Sequence, residues 1–176
     1  MQPLSKGFYL GSYVGGIVAM LLLMVIGFAL IANEEEAGMA FIFLGYLPMI
    51  YSVIVVCVLI YKMWSAIQGP TARSTPGKAL GFLFIPFYNF YWIFMAFWGW
   101  TKDYNALANQ RGMTQRAPEG LALAMCIMTL CGIIPFLGYL IALVNIVVTV
   151  AFYNSAINCV NALAAAPAEM EVEASI

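Results

Sequence analysis

The chain reads as an all-α, polytopic membrane protein with four transmembrane helices. A proline-broken, re-entrant or interfacial aromatic hairpin lies between the second helix and the third. Three observations predict this class. Of 176 residues, 64% are hydrophobic and 9% charged, with mean hydropathy +0.94, whereas soluble domains carry about 25% charged residues. Uncharged runs long enough to cross about 30 Å of hydrocarbon recur along the chain, joined by short polar connections. Finally, the apolar stretch 76–105, PGKALGFLFIPFYNFYWIFMAFWGWTKDYN, carries Pro86 and Asn89 well inside it and is closed at its ends by Lys78 and Lys102. Spans and connections fill the chain, which gives one helical membrane domain over 1–166 and a disordered acidic tail over 167–176.

Phe8–Ala32 is uncharged for 25 residues, enough to span, too long for the apolar region of a signal peptide, and without an A-x-A cleavage site. Gly11, Gly15 and Gly16, with Ser12, give the small-xxx-small spacing that lets a neighbouring helix come close. Asn33 and Glu34–Glu36 end this helix in an acidic loop. The second helix covers 38–66, tolerating Pro48, and closes on Tyr61, Lys62 and Trp64, residues suited to a headgroup boundary. Residues 67–77 are a loop rich in Gly, Pro, Ser and Thr that carries Arg73.

The central stretch admits two readings. As one helix, Ala79–Thr101 would cross, and Lys102, Arg111 and Arg116 would then share a side with Glu34–Glu36, against the positive-inside bias. As a hairpin over 78–101 broken at Pro86–Asn89, each arm has about ten apolar residues and reaches about half-way into the hydrocarbon. Every Lys and Arg then lies on the cytoplasmic side, and charge distribution favours this reading. Broken backbone at membrane depth needs partners, and the Asn89 amide is placed to supply some beside Pro86. Residues 102–119 are read as a loop, with Asp103 and Lys102 as a solvated pair. From Gly120 to Ala165 no charge occurs for 46 residues, and Pro135 divides the run into helices 120–134 and 139–164.

A partial repeat links the two proline segments. At an offset of 49, Ile85-Pro86-Phe87 falls on Ile134-Pro135-Phe136, Tyr104-Asn105 on Tyr153-Asn154, and Asn109 on Asn158. Repeats with broken helices are common in transporters, where the breaks lie near the binding site.

The chain has no histidine, which excludes His-ligated metals and a His base within one chain. Cys57, Cys126, Cys131 and Cys159 lie in apolar segments and form no CxxC pair. Apart from Lys62 at the end of the second helix, the spans carry no Asp, Glu, Lys, Arg or His, the usual mark of a proton relay or ion path. Phosphate loops, nucleophile elbows and metal-ligand sets are missing too. An enzyme is not expected, nor a cofactor or a nucleic-acid partner. The remaining polar feature of the spans is Asn154, Asn158 and Asn161 on one helix face, read as inter-helix hydrogen bonding. Lys62, Arg73, Lys78, Lys102, Arg111 and Arg116 form a basic cluster able to contact anionic lipid.

The string from Trp64 to Trp92, WSAI…RSTPGKALGFLFIPFYNFYW, with the later PEGLALAMCIMTL and IPFLG, resembles small bacterial four-helix membrane proteins of a domain-of-unknown-function type. The resemblance covers roughly residues 60–163 and implies a bacterial inner-membrane protein without an assigned activity. TPGK is also similar to the RDD family, thought to include transporters. That family is named for an Arg in its first helix and Asp residues in its second, and the first two helices here have neither.

Together these readings give a multi-pass inner-membrane protein with a cytoplasmic N-terminus. Its expected role is a non-enzymatic module that assembles with itself or with a partner membrane protein. The alternative is a passive channel, transporter or lipid-handling protein that uses the helix breaks and the Asn-lined face.

Overall fold

The computed structural model describes residues 2–70 and 72–173, with side chains described through Ala166. The chain is an all-α membrane protein, and no strand occurs among the described residues. Its helices are α1 (Lys6–Ala32), α2 (Ala37–Ala66), α3 (Pro76–Gly81), α4 (Tyr88–Ile93), α5 (Trp100–Gln110), α6 (Glu119–Cys131) and α7 (Leu137–Glu173). A 3-10 turn (Phe82–Phe84) extends α3, and a π-helical segment (Phe94–Gly99) joins α4 to α5 without a break. Of the four spans expected, three are long and apolar enough: α1, α2 and Leu137–Ala166 of α7. At 13 residues, α6 is shorter, about 20 Å at about 1.5 Å per residue. The tail expected to be disordered falls partly outside the described residues, although α7 continues through Glu173.

The chain divides into two compact units, Lys6–Leu59 and a larger one made of Met1–Ser5 with Ile60–Ile176. In the smaller unit, α1 and the first part of α2 meet through glycines. A Cβ at Gly27 would stand 2.9 Å from the Gly38 carbonyl oxygen, and one at Gly38 2.7 Å from that of Gly27. No side chain fits in this seam, so the two backbones approach as small-residue packing allows.

The larger unit is built from two helical hairpins. Thr75 caps α3 by accepting the Lys78 N–H, and Pro76 occupies the first turn, where its missing N–H costs nothing. The chain turns at Pro86 and returns through α4, the π segment and α5. The loop expected over 102–119 is corrected here. The returning arm does not stop near Thr101, because Trp100, Thr101, Tyr104 and Ala108 line one face and are buried, which carries the helix to Gln110. Gly112, at φ +64, ends it in a left-handed cap, with Gly112 N–H donating to Asn109 O and Met113 N–H to Ala108 O.

The second hairpin is α6, a turn at Pro135, and α7. Side-chain contacts set the register of all three long arms. Phe97 packs on Phe152 and Tyr153, Trp100 on Phe152, and Tyr104 lies beside Cys159, so α5 and α7 run parallel. Cys126 approaches the Ile93 carbonyl and Glu119 meets Asn105, so α6 runs antiparallel to both. Both proline turns therefore lie at one end of the unit. Arg73, Asp103, Asn105, Glu119 and the N-terminal segment lie at the other.

Candidate functional site

The two turns have the same construction. At the first, Ile85 O accepts from Asn89 N–H (3.0 Å), Pro86 O from Tyr88 N–H (2.7 Å), and Phe87 O from Phe90 N–H (3.3 Å). At the second, Ile134 O accepts from Gly138 N–H (2.8 Å), Pro135 O from Leu137 N–H (2.8 Å), and Phe136 O from Tyr139 N–H (3.3 Å). Phe87 and Phe136 adopt the left-handed region, φ 63 and 64, which is uncommon for a bulky residue. The two residues are 82% and 87% exposed. The short Pro O to i+2 bond is a γ-turn around each Phe. The Ile-Pro-Phe repeat read from sequence is thus a repeat of backbone geometry, and it extends into the arms: Tyr104 and Tyr153 are both buried, as are Ala108 and Ile157.

Asn89 does not do what its place beside Pro86 suggests. Its backbone N–H closes the turn, but its side-chain Oδ1 is buried without a hydrogen-bond partner. Pro86 removes the donor that the break would otherwise strand, and the backbone bonds of the turn satisfy most of the rest. Asn145 Oδ1 is likewise buried and unpartnered, while its Nδ2 donates to Thr129 Oγ1 at 3.1 Å.

At the opposite end the first hairpin is clasped. Arg73 Nε lies 2.7 Å from Asp103 Oδ1, and Arg73 N–H donates to Asp103 Oδ2 at 2.9 Å. Asp103 is 3% exposed. This corrects its reading as a solvated partner of Lys102, since a buried carboxylate needs close cationic and N–H donors. The Lys102 ammonium lies instead 3.4 Å from the centre of the Trp98 ring, a cation–π contact. Since residue 73 touches residue 103, the intervening stretch turns back to where it began and is not one straight helix.

Buried indoles lock the arms. Trp64 Nε1 donates to Ala96 O (3.0 Å), Trp100 Nε1 to Met63 O (2.8 Å), and Trp92 Nε1 to Ala79 O (3.0 Å). Ala96 lies in the π segment, where the widened ladder sets the carbonyl that receives Trp64. Asn105 pins the 111–118 connection, accepting from Ala117 N–H (2.8 Å) and donating to Ala117 O (3.0 Å) and Glu119 Oε1 (2.8 Å). Sequence reading passed over Trp64, Trp100 and Asp103 as site residues. The available signal for Asp103 was its being, with Glu119, one of two acids within a basic region.

The six candidate cations all sit at this clasped end, but with different tasks. Arg73 is tied to Asp103, and Arg116 Nη1 donates to the carbonyls of Met113 and Gln115. Lys62, Lys78 and Arg111 are exposed. The N-terminus joins the same end: Leu4 N–H donates to Asn161 Oδ1 (2.6 Å) and Asn161 Nδ2 donates to Leu4 O (3.0 Å). Of the expected Asn face, only Asn161 makes side-chain hydrogen bonds. Asn154 and Asn158, half-buried, make none among the described residues.

Tyr104, fully buried outside the candidate spans, has its hydroxyl near Cys159 but makes no hydrogen bond of good geometry. Burial, then the neighbouring Cys159, push its phenol above the usual range.

The candidate packing glycines separate sharply. Gly16 is buried against Ser52 and the Pro48 carbonyl, and a side chain there would overlap Ser52 Oγ, itself donating to Ser12 O at 3.0 Å. Gly11 and Gly15 face open space, with nothing within 4 Å of a built Cβ, and Gly7, one turn earlier, shares that property. Comparison with protein families, curated proteins and solved structures finds no match to this chain.

Proposed function

We propose that the protein is a non-enzymatic membrane module whose first helix docks a second membrane helix, most simply that of another copy. The carrying observation is the open glycine face. Gly16, Gly27 and Gly38 are consumed by packing within the smaller unit, whereas Gly7, Gly11 and Gly15 recur every four residues on one side of α1 with nothing against them among the described residues. Backbone exposed along a helix by such a row is where close helix–helix contact is favourable in lipid. Replacing Gly11 and Gly15 with Leu is expected to abolish cross-linked dimers in native membranes while leaving folding intact. Gly16→Leu, which clashes internally, is expected to lower folded yield. Persistence of dimers in the Gly11/Gly15 variant defeats this reading.

The proposed placement is an inner bacterial membrane with the clasped end and N-terminus in the cytoplasm. The Leu4–Asn161 clip, which joins the N-terminus to the end carrying the cations, supports it, together with the positive-inside bias. A second reading, a passive polar path, draws support from the unpartnered oxygens of Asn89 and Asn145. Proteoliposome flux of ions and small solutes, unchanged in Asn89→Leu and Asn145→Leu, counts against it.

A further inference from the structure

We infer that the hairpin from Pro76 to Gly99 is a wedge that enters the membrane from one side and ends within it, its Ile-Pro-Phe tip lying in hydrocarbon and in contact with lipid acyl chains. The inference rests on the membrane placement proposed above.

Depth comes first. From Trp100, at the clasped end, to Phe87 is about 13 residues, or roughly 20 Å at about 1.5 Å per residue, past the middle of a core about 30 Å thick but short of its far side. On the parallel α7 arm, Ser155, level with Trp100 by the Phe97–Phe152 and Tyr104–Cys159 contacts, to Phe136 is about 19 residues, roughly 29 Å, close to a full crossing. The first tip therefore stops roughly 9 Å short of the second.

A broken backbone in contact with lipid is ordinarily excluded because its polar groups are left without partners. The Ile-Pro-Phe turn avoids most of that cost. Proline has no N–H to strand, and the carbonyls of Ile85, Pro86 and Phe87 each accept from the returning helix. Such a turn has little need of covering protein, and none covers it within this unit: Phe84, Ile85, Phe87 and Tyr91 are all exposed.

Charge on the hairpin is confined to its base. No charge occurs from Ala79 to Thr101, while Lys78 and Lys102 stand at the two bases. Trp98 supplies a ring with a polar tip near the base, while the phenols of Tyr88 and Tyr91 lie within about one turn of the Phe87 apex. Acyl chains around Phe87 and anionic headgroups over Lys78 and Lys102 fit this arrangement.

The test uses nitroxides on Cys at positions 87, 136 and 110, in full-length protein reconstituted into phosphatidylethanolamine/phosphatidylglycerol vesicles. Collision rates are read with oxygen, which partitions into hydrocarbon, and with a water-soluble nickel chelate. At 87 the expected result is high oxygen and low nickel accessibility, with a depth near the bilayer centre. At 136 the label is expected nearer the far boundary, and at 110 in water. A label at 87 shielded from both reagents means that protein covers the turn, and one open to nickel means that water fills it. Either outcome overturns the inference. Residues 69 and 110 reacting from opposite sides, with 87 still in lipid, would instead overturn the placement.

Discussion

Phe87 and Phe136 hold the left-handed region with their rings exposed, so local packing does not force that conformation. A β-carbon there costs about 1 kcal/mol relative to glycine. Phe87→Gly is therefore expected to be more stable than Phe87→Ala by about 1 kcal/mol in thermal unfolding in detergent, and the same at position 136. Equal stabilities would mean that the turn relaxes once the ring is gone. Tyr104 gives a pH signature. Its phenol is held above the usual value near 10 when folded, so on raising pH the unfolded chain loses that proton first. Stability should fall as pH climbs through about 10, and Tyr104→Phe should remove part of that slope. An unchanged slope in the variant would place the titration elsewhere.

The clasp between Arg73 and Asp103 operates at the scale of the hairpin. It holds the two bases of a 30-residue excursion, so its loss acts on the whole element. Arg73 is half exposed while Asp103 is buried, so the pair is partly screened by solvent. Removing Arg73 alone is expected to cost about 2 kcal/mol, less than the 3–5 typical of a wholly buried pair. Replacing both, as Arg73→Met with Asp103→Leu, should recover most of it. A double-mutant cycle in urea measures the coupling, and additive losses would mean that the pair contributes no interaction.

Local chemistry explains which elements could be read from the residues alone. The proline turns and their repeat were legible because proline removes a donor wherever it occurs. The start of α3 was less plain, although Thr75-Pro76 is a capping sequence. The extension of α5 to Gln110 was hidden because TKDYNALANQ is polar in composition. Its helix depends on a buried stripe of Trp100, Tyr104 and Ala108, which only packing reveals. Likewise Gly11, Gly15 and Gly16 look alike in sequence, yet their positions around α1 differ by about 100° per residue, and only Gly16 finds the seam.

Taken whole, the larger unit carries both termini of its first hairpin, the N-terminal clip and the basic residues at one end, with two proline turns at the other. The central claim is that 73–103 enters and leaves the membrane on one side. Single cysteines at Glu35, Gly69 and Gln110, on a background lacking Cys57, Cys126, Cys131 and Cys159, test it by labelling in sealed right-side-out and inverted vesicles. Labelling of 69 and 110 from the cytoplasmic side and of 35 from the other is the predicted result. Labelling of 69 and 110 from opposite sides would contradict the account and make the central stretch a crossing segment.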